Sequence, residues 1–254
     1  MSAIVPLGFE LEDLTGEAYI TKPKTIKGFR KRIGLRWQGQ TAFEAEHQKK
    51  FPYELLFNAL EGVDAEFISL QRDEGAEACP PWVKQVPLDT WEDTRQATAS
   101  CDLVISSCTS VSHLAAAMGV ETWVIIPVMP YFLYAQEGET CPYYDTMKLM
   151  RQEVFGDWEA PFTKIKERLS EKQALRIQTQ FLRASLNQEA AWFDENDRET
   201  LPTKMGTALV HINNAIGRQV VDVWSNIISA FGCLAVALML NTALALIMLC
   251  VVPI

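Results

Sequence analysis

A chain of 254 residues, 48% apolar and with a formal net charge of −9, has enough material for one large domain or two small ones. The acidic balance, with no long basic stripe to offset it, argues against general nucleic-acid binding. A local anion site stays open, because backbone amides hold a phosphate without any positive net charge.

Residues 1–30 have little periodicity and contain Pro6, Gly8, Gly16, Pro23 and Gly28, the pattern of a connector. Arg32–Trp37 (RIGLRW) reads as a short buried strand, and Pro52–Leu60 as a helix with proline where a helix begins. Glu66–Gln71 is the next strand. A loop with Gly75, Pro80 and Pro81 leads to a short strand within Val83–Leu88. The word T-W-E-D from Thr90 has the spacing of a capping box, Asp93 reaching back to Thr90, for a helix to about Ser100. Leu103–Ser106 reads as strand, Ser110–Met118 as helix stopped by Gly119, and Thr122–Ile126 as strand. Met147–Arg151 is expected as a last edge strand. Two helices should follow, Trp158–Leu169 and Lys172–Leu186, the second packing through Leu175, Ile177, Phe181, Leu182 and Leu186. Strands alternating with helices imply parallel β-α-β units, hence an α/β fold with a doubly wound parallel sheet over residues 31–186.

Residues 187–222 are expected as a linker. From Ile227 to Ile254 there is no charged residue, and the run from Ala230 is long enough to cross a bilayer, which takes roughly 20 apolar residues as a helix. Residues 223–254 are therefore expected to form a hydrophobic transmembrane helix, a buried helical hairpin being the other reading. Lys204 and Arg218 before it favour a cytoplasmic main domain, tail-anchored to the inner membrane.

The six cysteines, Cys79, Cys101, Cys108, Cys141, Cys233 and Cys250, form no C-x-x-C pair and have no histidine cluster at zinc spacing. Reduced thiols and no metal site are the expectation.

The most informative stretch is Asp102–Pro127, DLVISSCTSVSHLAAAMGVETWVIIP, with Ser106, Ser107, Thr109, Ser110 and Ser112 crowded between two apolar runs. In open α/β sheets ligands sit outside the carboxyl ends of the strands, where the unpaired amides of a first helical turn attract anions. Thr109 and Ser110 would add hydroxyl donors, and His113 stands in the same turn. Hydroxyl residues also cap helices routinely, so these residues alone leave capping and anion binding both open.

The words GLRWQGQ (34–40), SLQRDEG (69–75), WEDT (91–94), SSCTSVSHLAAAMG (106–119), VIIPVMPYFLY (124–134) and CPYYDTMKLMRQ followed by FGDW (141–158) occur in a fixed order. That order resembles the C-terminal, donor-binding domain of GT-B glycosyltransferases, a single Rossmann-like half of that fold. The nearest likeness is to the heptosyltransferase-like enzymes that often follow tetratricopeptide repeats, a hexosyl- or heptosyl-transferring type. The resemblance implies that Thr109, Ser110 and the amides around Val111 hold the diphosphate of a nucleoside-diphosphate sugar, with His113 on the same ligand. Trp37, Gln38 and Lys50 would face the phosphates or the sugar across the cleft, and Gln71, Trp91 and Asp93 would lie beside the nucleoside. No D-x-D-like word is present, so the expected reaction uses no metal and no cofactor, the nucleotide sugar being the substrate. Where relatives often carry Asp before Thr-Ser, this chain has Cys108. The resemblance also implies a second domain that supplies the acceptor and usually the general base. Only residues 1–30 precede the donor half, so either an acceptor-domain partner protein is required, or the chain is a non-catalytic nucleotide-sugar binding module or degenerate membrane-tethered relative.

Overall fold

Short apolar, β-branched runs bounded by glycine, proline and polar turns form one seven-stranded sheet. The computed structural model describes residues 14–25, 30–40, 49–72, 74–134 and 137–187. The strands are β1 (Arg32–Arg36), β2 (Glu66–Ser69), β3 (Lys84–Gln85), β4 (Leu103–Ser107), β5 (Glu121–Ile126), β6 (Thr140–Cys141) and β7 (Tyr144–Arg151). The helices are α1 (Tyr53–Leu60), α2 (Trp91–Ala99), α3 (Ser110–Ala117) and α4 (Glu159–Leu186). The chain divides into two units, Met1–Leu169 and Ser170–Ile254, and the whole sheet belongs to the first.

The sheet order is β3-β2-β1-β4-β5-β7-β6, parallel throughout except for the β6–β7 pair. The chain winds outward from β1 to β3, crosses back, and winds the other way from β4. This doubly wound pattern leaves a topological switch point between β1 and β4, where a crevice opens at the carboxyl ends of the strands.

Alternation along each strand sorts the core into two layers. Ile33, Leu35, Phe67, Leu103, Ile105, Trp123 and Ile125 face Leu56 and Leu60 of α1 and Phe162, Ile165 and Leu169 of α4. On the other face Ile68, Leu70 and Val104 meet Ala99, Cys101, Val111 and Ala115, and Val124, Ile126 and Leu149 meet Ala116 and Tyr134. Gly34 in β1 makes that second layer possible, because a Cβ there would stand 2.7 Å from Leu70 Cδ1 and 2.9 Å from Cys101 Sγ.

Local chemistry fixes the helix ends. The Thr90–Asp93 capping box opens α2: Asp93 N donates to Thr90 Oγ1 at 3.1 Å and Thr90 N to Asp93 Oδ2 at 2.9 Å. Helix α3 stops at Gly119, whose φ of 70° lets its N–H reach Ala116 O at 2.9 Å while Val120 N reaches Ala115 O at 3.0 Å. These are the two bonds of a Schellman motif. The described part of the amino-terminal connector has no regular structure and is strapped to the domain: Tyr19 N and Ile20 N both donate to Ala117 O, at 3.0 and 2.9 Å.

Three elements differ from expectation. Strand β7 begins at Tyr144 and is not the edge, since β6 pairs antiparallel outside it; a two-residue strand carries no readable period. The two helices expected after Trp158 are one, α4, because Ser170 and Glu171 offer no glycine or proline to break it. Of Val83–Leu88 only Lys84–Gln85 pairs, the run ending at Pro87. The expected transmembrane helix at 223–254 lies outside the described residues, as does the linker beyond Asn187. Among the described residues no helix is long and apolar enough to cross a membrane.

Candidate functional site

The register Arg36↔Ser106 sets the turn after β1 beside the turn after β4, at the switch point. From β4 the chain passes through Cys108 and Thr109 directly into α3. Thr109 occupies the N-cap position with extended backbone (φ −136°, ψ 168°), yet its side chain makes no capping bond. The Ser106 hydroxyl donates to Ser107 O at 2.7 Å. Its 3.2 Å contact with Thr109 Oγ1 therefore has the threonine as donor. The Ser112 hydroxyl and amide both donate to Thr109 O, at 2.6 and 3.1 Å. First-turn amides have no partner inside a helix, and those of Ser110 and Val111 meet no backbone acceptor outside it among the described residues. No acidic side chain stands in that turn to complement the positive end of the helix dipole. The Ser110 side chain is exposed, while Val111 is buried in the core and contributes through its backbone.

His113 lies on Tyr134, the rings 12° apart in plane with centroids at 5.9 Å, and its Nε2 is 3.1 Å from Tyr134 Oη. Tyr144 covers it at 5.7 Å. Burial lowers the His113 pKa from the ordinary imidazole value of 6.5 and raises that of Tyr134. Both are neutral at pH 7, so His113 is a dipole at this turn and not a cation. The tautomer sets the direction of this bond: a proton on Nδ1 makes the Tyr134 phenol the donor, and a proton on Nε2 makes the imidazole the donor.

The turn after β1 is held from within the fold. Trp37 is buried, packs edge-on against Phe57 at 5.4 Å, and donates through Nε1 to Gly75 O at 3.0 Å. Gln38 is buried beside it. Gln71 brackets this turn. Its Oε1 accepts from Trp37 N and Gln38 N at 3.2 and 3.1 Å, and its Nε2 donates to Gln38 O and Glu74 O at 3.0 and 2.7 Å. The hydrogen-bonding capacity of the amide is thereby filled. Gly75 closes the turn with φ 85°, and a Cβ there would meet Gln38 Oε1 at 2.9 Å.

The remaining expected residues are dispersed. Lys50 is exposed in the coil before α1. Trp91 begins α2 with 59% of its surface exposed. Asp93, besides capping α2, lines a cavity of about 300 Å³ with Arg32, Glu66, Lys84, Gln96 and Ser100. The cavity is also lined by Ile68, Val86 and Pro87, so it runs beside β2 and β3 under α2, and no residue of the α3 turn lines it. The structure thus brings together Thr109, Ser110, Val111 and His113, with Trp37, Gln38 and Gln71 forming the neighbouring turn, and leaves Lys50, Trp91 and Asp93 apart. Tyr134 and Tyr144, which cover His113, were not singled out from the sequence; Tyr134 ends the word VIIPVMPYFLY, and only the aromatic character of that word hinted at it. Among the described residues no group of three His, Cys, Asp or Glu side chains is placed to hold a metal ion.

Compared with known proteins, residues 163–254 match the family model of the ABC transporter transmembrane region, less than half of the chain. No curated protein sequence matches. Among solved structures, a family 9 glycosyl transferase from Veillonella parvula aligns at a TM-score of 0.42 with 14% identity, over 57% of this chain and 46% of that one. The glycosyltransferase SnogD from Streptomyces nogalater aligns at 0.32 with 21% identity, over 57% of this chain and 41% of that one. The chain spans less than half the length of either. Likeness at this level transfers no residue's role.

Proposed function

We propose that the first unit is the donor-binding half of a GT-B glycosyltransferase of the heptosyltransferase-like kind, holding a nucleoside-diphosphate sugar at the β4–α3 turn. The observation that supports this reading best is the uncapped start of α3. Thr109 turns its hydroxyl onto Ser106, and the amides of Ser110 and Val111 are left at the switch point with the positive helix end behind them. As the glycosidic bond to the donor breaks, negative charge grows on the leaving diphosphate. Fixed amides and a neutral imidazole donor from His113 stabilise that charge without reorganising. The sugar passes to an acceptor held by a second domain, which supplies the general base. The charge-free run at 227–254 tethers the chain to the inner membrane from the cytoplasmic side; the match of 163–254 to a transmembrane family model supports the tether.

A second reading, a binding module without transfer, is favoured by Cys108 standing where relatives carry Asp and by the absence of an acidic side chain in the first turn of α3. Titration calorimetry of the full chain in mild detergent with UDP, GDP, ADP and CDP tests both readings. Saturable binding of one of them is expected, weakened about tenfold or more by Ser110→Asp, whose carboxylate occupies the same amides. No saturable binding of any nucleotide overturns both readings. Donor hydrolysis by the chain separates transferase from module. Carbonate extraction tests the tether: the chain should stay with the membrane pellet and be released when 225–254 is deleted.

A further inference from the structure

Strands β4, β5 and β7 run parallel side by side, so the chain leaves all three at the same edge of the sheet. The turns that follow β5 and β7 there carry six exposed apolar side chains: Val128, Met129, Tyr131 and Phe132 in the first, Val154 and Phe155 in the second. The buried Gln152 joins the two turns. Its N–H donates to Ile126 O at 2.9 Å, and its Oε1 accepts from Val128 N at 3.2 Å. The Tyr131 and Phe132 rings lie against each other with centroids 4.1 Å apart. Met129 is 69% and Phe155 81% exposed, so the patch is made of protruding tips and not of a groove. An exposed apolar patch marks a protein or a membrane contact. No charged residue lies between Glu121 and Glu137, and the second turn has only Glu153 and Asp157 beside its apolar pair.

We propose that these two turns dip into the surface of a lipid bilayer, with Met129, Phe132, Val154 and Phe155 in the acyl boundary and Tyr131 at the headgroups. Protruding tips on one edge of a sheet can reach a flat, yielding surface together, whereas a protein partner would need a matching hollow for each. Apolar area, and tyrosine with its polar end, are what the membrane–water interface takes up. A second copy of the chain would bring Glu153 and Asp157 of both copies to the rim of one contact, carboxylate against carboxylate. The charge-free run from Ile227 to Ile254 places lipid within reach of the same chain. The β4–α3 turn stands on this edge too, so the crevice opens at the membrane surface whether or not it holds a nucleotide.

Photolabelling of the full chain in vesicles of phosphatidylcholine, a fraction of it carrying a diazirine in the acyl chain, reads the contact directly when the labelled peptides are mapped by mass spectrometry. Label on 128–132 and on 154–155 is expected. F132S/F155S should reduce it in both turns about tenfold or more, with unchanged hydrogen exchange over β4 and β5 as the control for folding. Any label within 227–254 should stay as it was, which separates this contact from the tether. Label confined to 227–254, no label at all, or equal label on the two turns of the variant overturns the proposal. Slowed hydrogen exchange over 128–132 that depends on protein concentration in the absence of lipid means a second copy covers the patch, and also overturns it.

Discussion

Gln71 shows how one side chain can look like a ligand contact in sequence and work as a brace in the fold. It stands at the end of a strand, where ligand contacts are common, yet both ends of its amide are engaged by Trp37, Gln38 and Glu74. Gln71→Glu keeps the shape and removes both donors, turning a carboxylate toward two carbonyls. A cost of about 2–4 kcal/mol is expected in chemical denaturation, and an unchanged midpoint would remove the brace from the account. His113 gives a pH signature. Its pKa is lower in the fold than in the unfolded chain, so the unfolded chain binds the proton more readily. The stability from its burial is complete above the unfolded value and lost as pH falls through the folded one. His113→Gln should flatten that part of the stability profile below about pH 6.5. The sequence places His113 in the first turn of a helix, but its neutrality depends on Tyr134 and Tyr144, which the fold brings from β5's following turn and from β7.

The elements were legible wherever their signal was local. The Thr90–Asp93 box predicts the start of α2, Gly119 the end of α3, and a short continuous apolar run the course of β5, because each depends on neighbours within a few positions. What was not legible depends on distant partners: β6 exists through pairing with β7, and the hydroxyl of Thr109 is drawn off the cap by Ser106 at the end of a strand. That displacement leads to opposed effects for one substitution. Ser110→Asp should stabilise α3 by about 0.3–1 kcal/mol through the helix dipole while weakening nucleotide binding; a change of the same sign in both would argue against an anion seat there. In β1, Gly34→Ala forces a methyl into the space of Leu70 and Cys101, and thermal unfolding should register a loss of about 1–3 kcal/mol.

At the scale of the whole molecule, alternation of strands and helices suffices to predict a doubly wound sheet, but the order β3-β2-β1-β4-β5-β7-β6 does not follow from it. That order makes β1 and β4 neighbours and so puts two turns that are 70 residues apart in register at one crevice. The Asp93 cavity lies beside β2 and β3 with no residue of the α3 turn in its lining, which no spacing within WEDT could reveal. The connector belongs to this scale as well. A chain lacking residues 1–25 loses both bonds to Ala117 O and the packing of Ile20, and should unfold at a lower temperature by an amount equivalent to about 2 kcal/mol. The brace at Gln71 has a further consequence, in motion. Because a single amide grips the backbone of Trp37 and Gln38 with one hand and Glu74 with the other, the turns after β1 and β2 cannot shift separately. A ligand that nudges Gln38 would move Glu74 with it, so the rim of the crevice answers as one piece.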